Sequence, residues 1–393
     1  MSKSIVFHAF LLLLMLGCNT PAEEMEEDPI VAEFPQAALD FAVEQSLRLH
    51  AAVPDTVNPR SYDNGELHTP PNKDWCSGFF PGNLVYLYEY SGNEELRTAY
   101  EARFEHLEAQ KDDSLTHDVG FKIQCSFGNA LRITGDSASY VSIIVDAADA
   151  LMARFDPVIG ATKSWDFIRL NWNYPVIIDN MMNLEVLFLA SQFTGDPSYY
   201  NAAVSHADKT MENHFREDNS SWHVVSYTPE GEVEMKVTHQ GTADESAWAR
   251  GQAWGLYGYT MCHRFTGEDR YLEQAARIAD FVLSHPRLPE DLVPYWDFDA
   301  PQIPDEPRDA SAAAIMASAL LDLADYAGNA DYRQAAETML RNLASPDYLA
   351  AAGENGNFLL LHGVGNMPAN SEIDTPLSYG DYYFVEALMK LAR

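Results

Sequence analysis

Trp172-Asn173-Tyr174-Pro175-Val176-Ile177-Ile178-Asp179-Asn180-Met181-Met182-Asn183 sets two polar side chains just ahead of an apolar run. Pro175 predicts the end of one element, and Met182–Phe193 reads as a buried helix, so Asp179 and Asn180 fall in the turn that opens it. A single acid in that place is explained as an N-cap, whose oxygen accepts orphan backbone N–H groups. The same arrangement recurs along the chain, and the recurrence gives this stretch a second meaning.

A short pattern returns at Ser91-Gly92-Asn93, Thr134-Gly135-Asp136, Thr194-Gly195-Asp196, Thr266-Gly267-Glu268 and Ala327-Gly328-Asn329. Each glycine follows an apolar, small-residue helix and precedes an amphipathic one, which predicts a helical hairpin as the repeating unit. The helices before the glycines (Phe79–Tyr90, Phe121–Ile133, Met182–Phe193, Ala247–Phe265, Ala310–Tyr326) are apolar nearly all round and so are buried. Those after them (Glu94–Gln110, Ala138–Phe155, Pro197–Phe215, Arg270–His285, Asp331–Leu343) have charged faces. A last pair, Phe34–His50 with Tyr382–Leu391, closes the ring. The expected fold is all-α, an (α/α)6 barrel spanning residues 34–393 as one domain.

Ahead of it, Lys3 and the apolar run Ile5–Leu16 read as a signal peptide too short to cross a bilayer. Residues 1–18 end in Gly17-Cys18, which resembles a bacterial lipoprotein acylation site. Residues 19–33 are acidic and aperiodic, as suits a tether. An exported lipoprotein of the cell envelope, in the periplasm or on the outer-membrane surface, is therefore expected, touching membrane only through lipidated Cys18. Cys76, Cys125 and Cys262 are widely spaced, so neither a disulfide framework nor a metal site is predicted. No cofactor is expected. The formal charge of −34 argues against nucleic acid and anionic membrane surfaces as partners, but a small anionic ligand needs only a local cluster of positive groups.

If the inner helices run the same way, their N-termini share one mouth. The segments leading into them are Asp74 through Phe80, Thr116 through Phe121, Ile178-Asp179-Asn180, Asp244 through Trp254, Arg308 through Ser311 and Tyr379 through Tyr383. Capping accounts for Asp309 and Asp381; it does not account for the aromatics, histidine and arginine beside the others, which suit a carbohydrate site. Asp179 follows Val176-Ile177-Ile178, which favours desolvation and a raised pKa, whereas Asp118 follows a possible partner, His117. Asp179 is thus the expected proton donor of the pair. Trp75, Trp165, Trp172 and Trp254 are stacking candidates, with Trp172 read as core. Arg250 and Trp254 share a helix face. His223, His239 and Gln240 lie on a connection that alternates like a hairpin about Pro229-Glu230-Gly231.

Asp74-Trp75-x-x-Gly78-Phe79, His117-Asp118-x-Gly120-Phe121, Asp179-Asn180-x-x-Asn183, His239-Gln240-Gly241 and Ser246–Trp254 together resemble the unsaturated glucuronyl hydrolases, family 88 of the glycoside hydrolases. The likeness runs from Phe34 to the end; Cys76 and Phe80 depart from it. It implies release of a 4,5-unsaturated uronic acid from lyase-made oligosaccharides, with an Asp protonating C4 and water adding at C5. By motif position that acid is Asp179, with Asp118 as the second. Trp75, His117, Trp165, Asn180, His223, Gln240, Arg250, Trp254 and Tyr382 are then expected around the sugar. Unsaturated rhamnogalacturonyl hydrolysis is the nearby alternative, a histidine-based sugar 2-epimerase a weaker one, and a glycan-binding surface lipoprotein that performs no chemistry the alternative from another class. Sulfate tolerance depends on which of Lys122, Arg169, Arg250 and Arg308 reach the mouth.

Overall fold

Gly92, Gly135, Gly195, Gly267 and Gly328 each close an inner helix with φ between 61° and 72°, a left-handed turn in which a Cβ would be strained. Asn93, Asp136, Asp196 and Asn329 then cap the following helices through side-chain bonds to backbone N–H groups, while Glu268 holds the same place without one. The structure, a computed structural model, describes Met1, residues 34–166 and residues 172–393. Cys18, its flanking leader and tether, and Arg169 lie outside the described residues.

The inner helices are Phe79–Ser91, Val119–Thr134, Leu184–Thr194, Ala249–Thr266, Ala310–Ala327 and Ser378–Leu391. Their outer partners are Gln36–Ala52, Glu94–Leu107, Ser137–Met152, Pro197–Asn213, Asp269–Ser284 and Ala330–Leu343. Ser378–Leu391 packs on both Ala310–Ala327 and Phe79–Ser91, so the ring closes as an (α/α)6 barrel. Pro35–Arg393 form one compact unit.

Three features differ from the sequence expectation. The second inner helix is not one continuous α-helix: it passes through a π-turn at Gln124–Gly128. Gly82 of the first inner helix and Gly78 just before it lie against carbonyls of the second, and a Cβ at Gly82 would stand 2.1 Å from the Cys125 oxygen. Pro175 ends no element; it sits inside the strand Tyr174–Ile177, at the edge of a three-stranded sheet with Val224–Tyr227 and Val233–Val237, where its missing N–H costs no ladder bond. Asp381 does not cap its own helix, because that helix begins earlier, at Ser378; its carboxylate accepts the Leu359 and Leu360 N–H groups of a neighbouring loop instead.

The contact at Gly82 makes a sign prediction. Alanine is the better helix former by about 1 kcal/mol, yet Gly82→Ala is expected to lower stability by about 1–3 kcal/mol through overpacking. The midpoint of chemical denaturation, compared with wild type, reads the sign directly.

Candidate active site

The pairing of Tyr174–Ile177 with Val224–Tyr227 sets Ile177 opposite Val224, and the Ile178 N–H bonds to the His223 carbonyl at 3.0 Å. The chain then turns through the 3-10 segment Ile178–Asn183 into the helix Leu184–Thr194. Asp179 therefore emerges beside His223, at the head of an inner helix and next to buried Ile177 and Ile178. It caps nothing. His223 Nδ1 accepts the N–H groups of His239 (3.1 Å) and Gln240 (3.2 Å), so the ring proton resides on Nε2, which faces Asp179 Oδ2 at 3.7 Å. Burial, reinforced by the neighbouring histidines and Arg250, pushes the His223 pKa well down, so the imidazole is neutral.

Burial raises the Asp179 pKa to about 6, against the opposing pull of His117 and Arg250. The second acid has the opposite balance. Burial also disfavours the Asp118 anion, but His117 Nε2 at 3.1 Å and the Thr116 hydroxyl, donating at 2.5 Å, outweigh it and hold the pKa below the ordinary carboxylate value. Asn183 and Gly120 bring the two acids to neighbouring helix starts. Asn183 Oδ1 accepts the Phe121 N–H at 2.8 Å, and a Cβ at Gly120 would lie 2.7 Å from the Asn183 Cα.

Asp118 and Asp179 open into a cavity of about 190 Å³, lined also by Trp75, His117, Trp165, Gln240, Arg250 and Tyr379. A volume of that size suits one sugar ring. Arg250 forms part of the cavity wall. Its Nη1 donates to Asp309 Oδ2 (3.0 Å) and the Val364 carbonyl (2.5 Å), its Nη2 to the Gly365 carbonyl (2.6 Å), and the guanidinium lies 4.5 Å from the Trp248 ring. Trp75 stacks on Tyr379 at 4.8 Å, and Trp165 stands 5.0 Å from His239. Among the described residues no cluster of His, Cys, Asp and Glu is arranged to hold a metal.

Not every expected residue reaches this cavity. Tyr382 is one turn too deep: its hydroxyl accepts from Asn129 Nδ2 at 2.8 Å, and it lines a separate space at the far ends of the inner helices. Trp254, four residues beyond Arg250, is likewise a turn deeper, fully buried between Phe121 and Tyr383. Asn180 points away from Asp179, since successive side chains of a 3-10 turn diverge, and its Nδ2 donates to the Thr162 carbonyl at 2.9 Å. His223 stands behind Asp179 rather than on the cavity wall. Trp172 is core, packed with Trp165, Ile177 and Val224. Lys122 is buried against Asp113 and Arg308 pairs with Asp291; neither lines the cavity. Tyr379 takes the place expected for Tyr382, because the last inner helix begins at Ser378, one turn earlier than the sequence pattern suggests. Arg60 and the hairpin Gly363–Thr375 escaped the sequence reading because only long-range contacts bring them here.

The sequence pattern of Glycosyl Hydrolase Family 88 matches residues 53–391. An unsaturated glucuronyl hydrolase of Formosa agariphila is 48% identical over 325 residues, 82% of this chain and 81% of that protein. The crystal structure of an unsaturated glucuronyl hydrolase specific for heparin superposes with a TM-score of 0.89 at 47% identity, covering 91% of this chain and 96% of that one. A second solved unsaturated glucuronyl hydrolase, with dGlcA-Glc-Rha-Glc, gives 0.85 at 33% identity over 91% and 97%. The chain belongs to glycoside hydrolase family 88. Its activity is unsaturated glucuronyl hydrolysis, the release of a 4,5-unsaturated uronic acid from the non-reducing end of an oligosaccharide.

Burying Asp179 has a cost in stability with a definite pH signature. Its folded pKa is raised from 3.8 to about 6, so the folded state binds that proton more tightly than the unfolded chain. The associated stability is complete below about pH 4 and disappears as pH rises through about 6, a loss of about 3 kcal/mol for a two-unit shift. Asp179→Asn is expected to be as stable as wild type near pH 4 and more stable at pH 8, by up to that amount. Denaturant unfolding at the two pH values reads the difference.

Proposed function

We propose that Asp179 is the general acid and then the general base of a hydration reaction. Asp179 protonates C4 of the unsaturated ring, leaving an oxocarbenium ion at C5 and O5. Water adds to C5 while the Asp179 carboxylate takes up its proton, which restores the acid. The hemiketal so formed opens to a ketone at C5, breaking the C5–O5 bond, and the hemiacetal exposed at C1 collapses to an aldehyde and frees the next sugar as an alcohol. Asp118, held as an anion by His117 and Thr116, faces the positive charge that develops at C5. Arg250 supplies the cation for the uronate carboxylate, and Trp75 and Trp165 the flat faces for the ring.

The observation that carries this reading is the inequality of the two acids, one held neutral to about pH 6 by burial and the other ionised by its partners. Protonating carbon needs the neutral one. The conjugated ultraviolet absorbance of an unsaturated disaccharide disappears on hydration, so it reports turnover. Asp179→Asn is expected to lose about 10²–10⁴ in kcat while binding the disaccharide. For wild type, kcat/KM is expected to fall above about pH 6 and to stay level down to pH 4, where Asp118 remains ionised. Full activity at pH 8 would remove Asp179 from the role of acid.

Heparin-type oligosaccharides are the proposed source of the substrate, supported by the 47% identity to the heparin-specific structure. Disaccharides made by lyases from heparin, chondroitin and hyaluronan, assayed in parallel, rank the three. Export as a lipoprotein is also part of this proposal, supported by the Ile5–Leu16 run and Gly17-Cys18. Cys18→Ser is expected to move the enzyme from the membrane fraction of its host to the soluble fraction, read by immunoblot.

A further inference from the structure

Arg60 stands at the junction of two walls of the cavity and spends its whole guanidinium there. Nε and Nη2 donate side by side to Glu372, at 2.8 and 2.7 Å, and Nη1 donates to Asp74 Oδ2 at 2.9 Å. The other oxygen of Asp74 caps the turn Trp75–Gly78 through the Cys76 N–H, so one end of the arginine fixes the aromatic wall. The Arg60 carbonyl accepts the Ser378 N–H at 2.9 Å, one residue from Tyr379.

The Glu372 end leads to the other of the two walls. Glu372 lies in the hairpin Gly363–Asn366 with Ser371–Thr375, and its side chain covers Gly365 so closely that a Cβ there would stand 2.5 Å from Glu372 Oε2. The Gly365 carbonyl under that carboxylate accepts both Arg250 Nη2, at 2.6 Å, and Gln240 Nε2, at 3.0 Å. Glu372 itself holds φ at +55°, a left-handed conformation that disfavours a side chain. Glycine would relieve that strain, which the glutamate offsets through its ion pair with Arg60. A glutamate in a strained place, paired in a two-point fork, is the pattern of a site that holds geometry.

We propose that Arg60 and Glu372 are positioning residues of this hydrolase, whose ion pair sets the spacing between the Trp75 turn and the Gly365 carbonyl and thereby aims Arg250 and Gln240 at the bound ring. The pair acts on the grip on substrate and not on the proton, because Asp179 and His223 are held from the other side by the sheet strands and Arg250, whose charge bears on Asp179, stays fastened to Asp309 when the pair is lost.

The test compares wild type with Glu372→Gly and Arg60→Lys in the ultraviolet assay, with denaturation measured alongside. Glu372→Gly removes the carboxylate but installs the residue that suits φ +55°, so folding is preserved while the pair is lost. An ammonium cannot make the fork in Arg60→Lys. Both are expected to raise KM about tenfold, keep kcat within about threefold of wild type, and leave the falling limb of kcat/KM near pH 6 in place. Glu372→Gly is expected to keep the wild-type denaturation midpoint. An unchanged KM in Glu372→Gly would overturn the proposal, reducing the pair to a structural ion pair. A displaced pH limb would overturn it too, since the pair would then act through Asp179. Wild-type turnover in the same plates keeps this outcome separate from any failure of the mechanism above.

Discussion

The bond from the Phe121 N–H to Asn183 Oδ1, 2.8 Å long, with Gly120 pressed against the Asn183 backbone, is the contact on which the site depends. It joins the first turns of two inner helices at a separation only glycine permits. Asp118 lies two residues before Gly120 and Asp179 four before Asn183. Their mutual placement is thus set by helix packing in the barrel, which is rigid, and not by the loops above it. Loops of varied length can surround such a mouth without disturbing the acids.

Within that frame the two carboxyl groups acquire opposite characters from their immediate surroundings. Asp118 meets a histidine and a hydroxyl; Asp179 meets isoleucines and the Nε2 edge of an imidazole too far away to bond and too deeply buried to be charged. The backbone N–H groups of His239 and Gln240 decide this second environment by occupying His223 Nδ1. A neutral histidine beside Asp179 leaves burial as the leading influence on its proton, and burial favours the acid form. A charged histidine at the same place would hold the proton off and remove the acid.

A chain of formal charge −34 nevertheless acts on an anionic sugar. The structure resolves the tension locally. Arg250 is buried, stacked on Trp248, and fastened by Asp309 and two carbonyls of the Gly363–Thr375 hairpin, so its charge cannot swing into solvent and its direction is settled before substrate arrives. The acidic exterior is a property of the surface as a whole, while recognition depends on charge within a few ångströms, where distance and low dielectric dominate.

Local patterns in the sequence were enough for the barrel. Glycines that must turn left-handed, polar residues that cap, and helices that are apolar all round or on one face have causes within a few residues of themselves, so Gly92 through Gly328 marked the hairpins and their order. The unequal acids were also legible, because Val176-Ile177-Ile178 and His117 are chain neighbours of the groups they perturb. Depth along the barrel was not. Tyr382, Trp254 and Asn180 carry side chains of the right kind one helical turn or one residue away from the cavity, and the start of a helix, which decides such a shift, is set by which loop N–H groups need a carboxylate, as Asp381 shows. Arg60, Glu372, Gly365 and Tyr379 meet only in three dimensions: the Arg60 and Glu372 ion pair joins residues 312 positions apart, and no periodicity in a sequence records a contact between segments that far separated.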